Sequence, residues 1–242
     1  MATLYITGAG VSAQSGIPTF RGRDGYWTIG SQHYTPQEMA TRAMYQHNPS
    51  QFLTWYYQRF ATYRDHGPNE VHHWLKDKAL ITQNIDGLDG KAGNLDYISI
   101  HGRLDQVTLY HTQGEDVARF AAPWHQIDEA NLTESLLDVF KISSKGPELN
   151  VSLKPYVLLF DEFYTELYQI DRAENMMKKA SKIVFIGTSF SVNITQMALD
   201  IARYHHIPIE VVDPEPCHVM HPNVTYHKMT ASEYIHSTSE IE

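Results

Sequence analysis

The chain opens on a β-rich run, Thr3 to Thr7, that breaks directly into Gly8-Ala9-Gly10 and then a helix-compatible stretch. A strand that turns on glycine into a helix start is the most constraining local pattern in the sequence. Gly8-x-Gly10-x-x-Ala13 has the Gly-x-Gly-x-x-Ala spacing of a dinucleotide fingerprint. The first glycine permits a tight turn, and the second lets a pyrophosphate approach the backbone. The small third residue lets a helix pack close on the strand. Free amides at the helix start are suited to phosphate. By spacing alone, the same residues also fit a plain glycine turn.

Further β-type runs occur at 79–82, 97–100, 106–110, 156–160, 182–187 and 209–213, with a last one near 224–227. Helical patterns separate several of them. Residues 35–66 read as helical with a boundary at Asn48-Pro49, where proline suits a first helical turn. Other helices are expected at 70–78, near 128–140, near 194–206 and at 230–236. Strands alternating with helices predict an α/β fold, a Rossmann-like doubly wound sheet, mainly parallel. Residues 111–152 are polar and irregular, which suits a small inserted module better than one long loop.

An ordinary dehydrogenase does not fit. No acidic residue ends a second strand about 20 residues after the glycines, because the next β-run begins near residue 79. The segment Gly16-Ile17-Pro18-Thr19-Phe20-Arg21-Gly22 also interrupts the first unit.

Charge narrows the partners. With 19 basic and 28 acidic residues the formal charge is −9, a poor basis for nucleic-acid binding, although a basic lysine-bearing peptide would be accepted. The one cysteine, Cys217, excludes an internal disulfide and fits a reducing, cytoplasmic setting. No apolar run approaches the roughly 18 residues of a membrane span, and the N-terminus reads as a strand, not as a signal peptide.

Read together, several separated segments resemble sirtuins. Gly8 to Gly22 (GAGVSAQSGIPTFRG) resembles the sirtuin signature along its length, as do Thr82 to Leu88 (TQNIDGL), His101-Gly102 and Gly187-Thr188-Ser189. Pro68-Asn69-x-x-His72 is similar to a sirtuin helix start. Order and spacing agree from residue 3 to about 215. The resemblance implies an NAD-binding enzyme that cleaves the nicotinamide–ribose bond and passes the ribose to an acyl-lysine oxygen. It implies one catalytic domain with a Rossmann-like part at about 1–34, 79–110 and 155–242. A helical insertion would occupy about 35–78, and a reduced small module about 111–154.

By the same resemblance, Gly8, Ala9, Gly10 and Ser12 contact the cofactor, and Phe20 and Arg21 belong to a loop that covers it. Asn84 and Asp86 line the nicotinamide pocket beside Ile85, Gln83 contacts the ribose, and His101 is the general base. A strand-end histidine of near-neutral pKa suits that role, and an amide and a carboxylate suit a carboxamide. Gly187, Thr188 and Ser189 end one buried strand and Asp213 ends the next, where nucleotide contacts are expected.

The chain departs from the family in four places, one of them Phe190-Ser191-Val192-Asn193-Ile194, the stretch after Gly187-Thr188-Ser189, which lacks the family's usual Pro-Ala. Most sirtuins hold their small module with four zinc-binding cysteines, and here that region has none; no metal is expected, with His111, Asp116 and His125 too scattered for a usual zinc site. The turn expected beside the acyl-peptide strand is Phe160-Asp161-Glu162, with aspartate in place of glycine. Asp89 stands where a histidine commonly follows Asp-x-Leu. One feature speaks for an acyl pocket: Tyr56 and Arg59 resemble the pair used by sirtuins that prefer acidic acyl groups, since arginine can bind a carboxylate bidentately. An aromatic helix with a solvent-facing arginine would give the same spacing. The function expected is NAD-dependent removal of acyl groups from lysine of a protein or peptide, with succinyl or malonyl groups accommodated. NAD glycohydrolysis, ADP-ribosyl transfer to another nucleophile, and NAD binding without catalysis are the competing readings.

Overall fold

A computed structural model of the chain describes residues 2–19, 35–60 and 63–239. The first strand, β1 (Thr3–Thr7), leads into a 3-10 helix, Ala9–Ser15. Helices α1 (Pro36–Met39), α2 (Arg42–His47), α3 (Pro49–Phe60) and α4 (Glu70–Leu75) precede β2 (Ala79–Thr82). Then come α5 (Leu88–Lys91), β3 (Ile98–Ser99), β4 (Gly102–Leu109), β5 (Arg119–Ala121), α6 (Leu132–Val139) and β6 (Leu153–Val157). The chain continues through α7 (Ile170–Lys179), β7 (Lys182–Ile186), α8 (Asn193–Tyr204), β8 (Ile209–Val212), β9 (Val224–His227) and α9 (Ala231–Ser239).

Six strands form one parallel sheet in the order β3-β2-β1-β7-β8-β9. Successive strands run outward from β1 to one edge, and the chain then returns to lay β7 against β1 and run to the other edge. This is the doubly wound Rossmann-type order, with its switch point between β1 and β7. Both faces are covered, so the central strands carry apolar residues on both faces. Ile183 and Phe185 of β7 pack with Ala173 and Met177 of α7 and Ala198 of α8. Their alternates Val184 and Ile186 pack with Val71 and Leu75 of α4 and Tyr234 of α9. The period-2 alternation of a strand thus divides one run between two helical layers.

A second, antiparallel sheet has the order β5-β4-β6. This shifts the junctions expected from the sequence. Residues 106–110 and 156–160 read as strands of the main part, but β4 begins at Gly102, β6 begins at Leu153, and both belong to the small sheet. Two local features hide these strands. The β4–β6 register slips between Arg103 and Val107, which breaks the alternation, and β6 contains a buried lysine, Lys154. Its ammonium group donates to the Val157 carbonyl and to Glu162 Oε2. The 97–100 run contributes only the two-residue β3 to the main sheet.

The predicted helical stretch 35–66 breaks once more than expected, at Thr41, whose hydroxyl accepts from Met44 N and caps α2. The stretch after the glycines is 3-10, and Gly16 ends it at φ +79°. α7 is not predicted from the sequence.

Helices α2, α3 and α6 and the small sheet share a single core, built on Tyr45, Phe52, Tyr56, Val107, Leu136 and Phe140. Trp124 Nε1 donates to Leu104 O at 2.6 Å and stacks on Phe140. Among the described residues, no group of three or more histidine, cysteine or acidic side chains could hold a metal ion. Apolar packing ties the small sheet and α6 to α2 and α3. Phe140 is fully buried. Phe140→Ala is expected to cost roughly 3–5 kcal/mol, read as a lower urea midpoint, while a chelator leaves the wild-type midpoint unchanged. A chelator-induced fall would show that metal contributes.

Candidate active site

The site begins where two loops meet without side chains between them. Gly8 N donates to Ile186 O at 3.0 Å and Gly10 N to Gly187 O at 2.9 Å. A Cβ on Gly10 would lie 2.6 Å from Gly187 Cα, and Gly187 itself has φ +62°. Only glycine allows this approach. The contact lies at the carboxyl ends of β1 and β7, the switch point where open α/β sheets bind ligands.

The end of β2 adds the next layer. Gln83 Nε2 donates to Thr7 O and to Thr188 Oγ1, both at 3.1 Å, so one amide ties three strand ends together. Asn84 is buried, and its Nδ2 donates to Gly8 O at 3.0 Å and Ser12 Oγ at 3.1 Å. Ser12 Oγ in turn donates to Asp86 Oδ2 at 2.7 Å, while Leu88 N donates to Asp86 Oδ1 at 2.9 Å. Burial still raises the Asp86 pKa, against both bonds. Ile85 lies between these groups; its carbonyl accepts from Leu104 N, and its side chain packs on the α3 core.

The start of α4 locks this layer from behind. Asn69 caps the helix in a capping box with His72, and its Nδ2 donates to Val11 O and Ser15 Oγ. His72 is fully buried, with Nε2 3.5 Å from Ser12 Oγ. Burial pushes its pKa down to about 4.

His101 follows β3. Its Nδ1–H donates to Gln83 O at 2.9 Å, which fixes the tautomer and leaves the lone pair on Nε2. That nitrogen lies 2.9 Å from the hydroxyl of Tyr164. Burial pushes the His101 pKa down to about 4, and the Gln83 carbonyl only partly opposes this. The imidazole is therefore neutral at physiological pH, as a base must be.

Thr188 is buried against Gln83, and Ser189 Oγ is 2.8 Å from Ser191 Oγ. Asp213 ends β8 but closes its own turn by accepting from Glu215 N at 2.9 Å. The structure thus brings Gly8, Gly10, Ser12, Gln83, Asn84, Asp86, Gly187 and Thr188 into one connected group, with His101 attached through Gln83 O. Ala9 lies in the same turn. Phe20 and Arg21 lie outside the described residues.

A second group lies on α3 and the turn after β6. Tyr56 and Arg59 are both buried, not solvent-facing. The Arg59 guanidinium lies 4.6 Å from the Trp55 ring centroid, and Trp55 Nε1 is buried with no hydrogen-bond partner among the described residues. Tyr56 shares its core cluster with Leu159 and Ile85. Phe160 is exposed, whereas Asp161 accepts from Arg42 N at 2.6 Å and Ala43 N at 3.1 Å and so caps α2. Glu162 binds Arg42 Nη1 at 3.0 Å, Lys154 Nζ at 3.2 Å and Leu159 N at 3.0 Å.

Comparison with known proteins accounts for this assembly. The Sir2 family profile matches residues 8–194. This chain belongs to the Sir2 family. An NAD-dependent protein deacylase 1 of Caldanaerobacter subterraneus subsp. tengcongensis is 29% identical over 99% of this chain and 93% of its own length. An NAD-dependent protein deacylase of Pyrococcus abyssi is 30% identical over 77% of this chain and 71% of its own. Among solved structures, a Sir2 homologue mutant in complex with ADP-ribose aligns with TM-score 0.75 and 28% identity, covering 100% of this chain and 94% of the other. A Sir2 homologue–NAD complex aligns with TM-score 0.71 and 25% identity, covering 100% and 91%.

The site residues of this Sir2 chain suit NAD. A glycine turn at the switch point suits a pyrophosphate, and a buried amide beside a carboxylate suits a carboxamide. Three residues that position this site are not singled out by the sequence. Thr7 Oγ1 donates to Thr82 Oγ1 at 2.9 Å, and Asn84 N donates to the same oxygen at 3.2 Å. Thr82 also lies near enough to Asp89 to favour its anion. Tyr164 is the third. None has a spacing signature; only the Asn69–His72 capping-box interval announces its partner in advance.

Asp89 is 1% exposed, with Oδ1 unpartnered among the described residues. Burial, and then the Asp86 charge, push its carboxyl up to about 7. An aspartate whose folded pKa is raised lets the unfolded chain ionise first. Stability therefore falls as pH rises from about 4 to about 7 and stays reduced above. Asp89→Asn is expected to raise the unfolding free energy at pH 8 by an amount on the order of a few kcal/mol, with no gain near pH 4. A loss of stability at pH 8 in thermal unfolding would show that the anion is favoured in the fold.

Proposed function

We propose that this chain is an NAD-dependent protein-lysine deacylase that releases nicotinamide and an O-acyl-ADP-ribose. The observation that carries this reading is the convergence of Asn84, Asp86 and a neutral His101 at the switch point of the sheet. NAD, when bound, supplies a ribose carbon with nicotinamide as its leaving group. Gly8, Ala9, Gly10, Thr188 and Ser189 hold the phosphate and ribose end, with Asp213 toward the adenosine. Asn84 and Asp86 hold the carboxamide, and Ile85 places both. Gln83 contacts the ribose and orients His101, whose Nε2 accepts a ribose hydroxyl proton. Phe20 and Arg21 cover the site in this reading.

The acyl-lysine enters between the 160–162 turn and the loop after Ser189, with its acyl end toward Tyr56 and Arg59. Acidic acyl groups are favoured. A guanidinium can bind a carboxylate bidentately, and Arg59 lies on α3 against Trp55, whose indole N–H has no partner among the described residues. The Rossmann-like part, the helical insertion and the small module act as one catalytic unit, and the single cysteine suits a cytosolic setting.

Incubation with NAD and acetyl- or succinyl-lysine peptides, followed by mass spectrometry, is expected to give nicotinamide and O-acyl-ADP-ribose in a peptide-dependent way. His101→Ala is expected to lose a factor of about 10² or more in turnover and to keep NAD binding. Steady NAD loss in buffer alone would favour an NAD glycohydrolase instead. Arg59→Met is expected to lower kcat/KM for succinyl-lysine by about 10- to 100-fold and to leave acetyl-lysine within a few-fold. Equal losses on both substrates would reduce Arg59 to a packing role.

A further inference from the structure

We propose that Tyr164 is a positioning residue that occupies the base nitrogen of His101 in the free protein and yields it to the ribose hydroxyl during catalysis. The proposal rests on the deacylase reading for the identity of the competing hydroxyl. Its geometry stands independently.

The His101 Nδ1–H is committed to Gln83 O, so the only lone pair in the ring plane is on Nε2. The Tyr164 hydroxyl lies 2.9 Å from that nitrogen, and the two rings stack with centroids 5.9 Å apart at 26°. One lone pair accepts one donor. A ribose hydroxyl that gives its proton to Nε2 must first replace the tyrosine there. Burial holds the Tyr164 pKa up at about 12, so the phenol keeps its proton and acts as a donor.

Its place in the chain gives the contact a second consequence. Tyr164 lies two residues beyond Glu162, on the segment leaving the 160–162 turn. The backbone amide of Ile194, at the start of α8, lies close to its oxygen. Its ring packs on the core cluster that also takes in Phe190 and Val192. One side chain thus bridges the two walls between which the acyl-peptide strand is proposed to lie, and ends on the base.

Tyr164→Phe keeps the ring and removes the hydroxyl. In the free protein, side-chain 1H–15N NMR is expected to show the same Nδ1–H tautomer for wild type and variant. The His101 Nε2 resonance, assigned by its loss in His101→Asn, should move to that of an unbonded acceptor nitrogen in the variant. Calorimetric titration with NAD, without peptide, should give a Kd lower by roughly two- to tenfold, the size of one net hydrogen bond. An unchanged Nε2 resonance, or a Kd that stays the same or rises, would overturn the proposal. So would a 100-fold fall in kcat at unchanged NAD affinity, which would make the hydroxyl a proton carrier. Neither the NMR nor the titration needs turnover. A wild-type protein without peptide-dependent nicotinamide release would remove the deacylase reading and leave this contact open to the same two measurements.

Discussion

The site depends on a backbone-to-backbone contact, that of the Gly8–Gly10 turn with Gly187. With no Cβ between the loops, β1 and β7 stay paired to their last residues, Thr7 opposite Ile186. Gln83 can then span from Thr7 O to Thr188 and fasten β2 to both. The carbonyl of that same residue holds the His101 imidazole. The tautomer of the base is thus set, two contacts away, by a glycine that lets two loops touch. A methyl group at position 10 or 187 would part the loops, release Gln83, and turn the imidazole. No residue in that sequence of contacts other than His101 itself needs reactive chemistry.

Around that frame the protein buries charge unequally. Asp86 and Asp89 lie close enough for each to disfavour ionisation of the other. Asp86 has a donor for each oxygen, Ser12 and Leu88 N, whereas Asp89 Oδ1 has no partner among the described residues. Hydrogen bonds to a carboxylate favour its anion, and an unpartnered buried oxygen disfavours it. The proton therefore belongs on Asp89 and the charge on Asp86, the residue next to Asn84. Burial also keeps His72 and His101 neutral. This layer thus holds one anion among neutral donors and acceptors, an arrangement suited to binding a carboxamide beside an uncharged imidazole.

Local chemistry made most of this legible in the sequence. Gly8, Gly10, Asn84, His101 and Gly187 each end or leave a strand, and strand ends with glycine punctuation are visible to a periodicity argument. The buried strands β1, β7 and β8 carry apolar residues on both faces and stand out for the same reason. Tertiary pairing hid the rest. β6 contains Lys154, which looks like a surface residue until Glu162 and the Val157 carbonyl are folded over it. β4 carries a register slip that erases its alternation. Tyr164 has no local pattern that links it to a histidine 63 positions away. The pair Tyr56 and Arg59 was legible as a motif, but its burial follows from the shared α2–α3–α6 core, which no single segment announces.

The same core explains how the small module stands without cysteines. A zinc knot would fasten the module to itself; here Phe140, Leu136 and Trp124 fasten it to α3, so module and helical insertion are one packing unit. The turn at 160–162 is tied to that unit by charge. Arg42 reaches Glu162 and the His111 carbonyl, and Lys154 meets Glu162 from the strand behind. Asp161, the departure that weighs most against a peptide site in the sequence, points its carboxylate at the first turn of α2, where the exposed amides and the helix dipole favour an anion. Its charge is directed into the helix start. The aspartate that replaces glycine thus belongs to the device that replaces zinc: it anchors the turn to α2, and α2 anchors the module. On this account the two departures from the family have one cause, and neither takes away the backbone edge that an acyl-peptide strand requires.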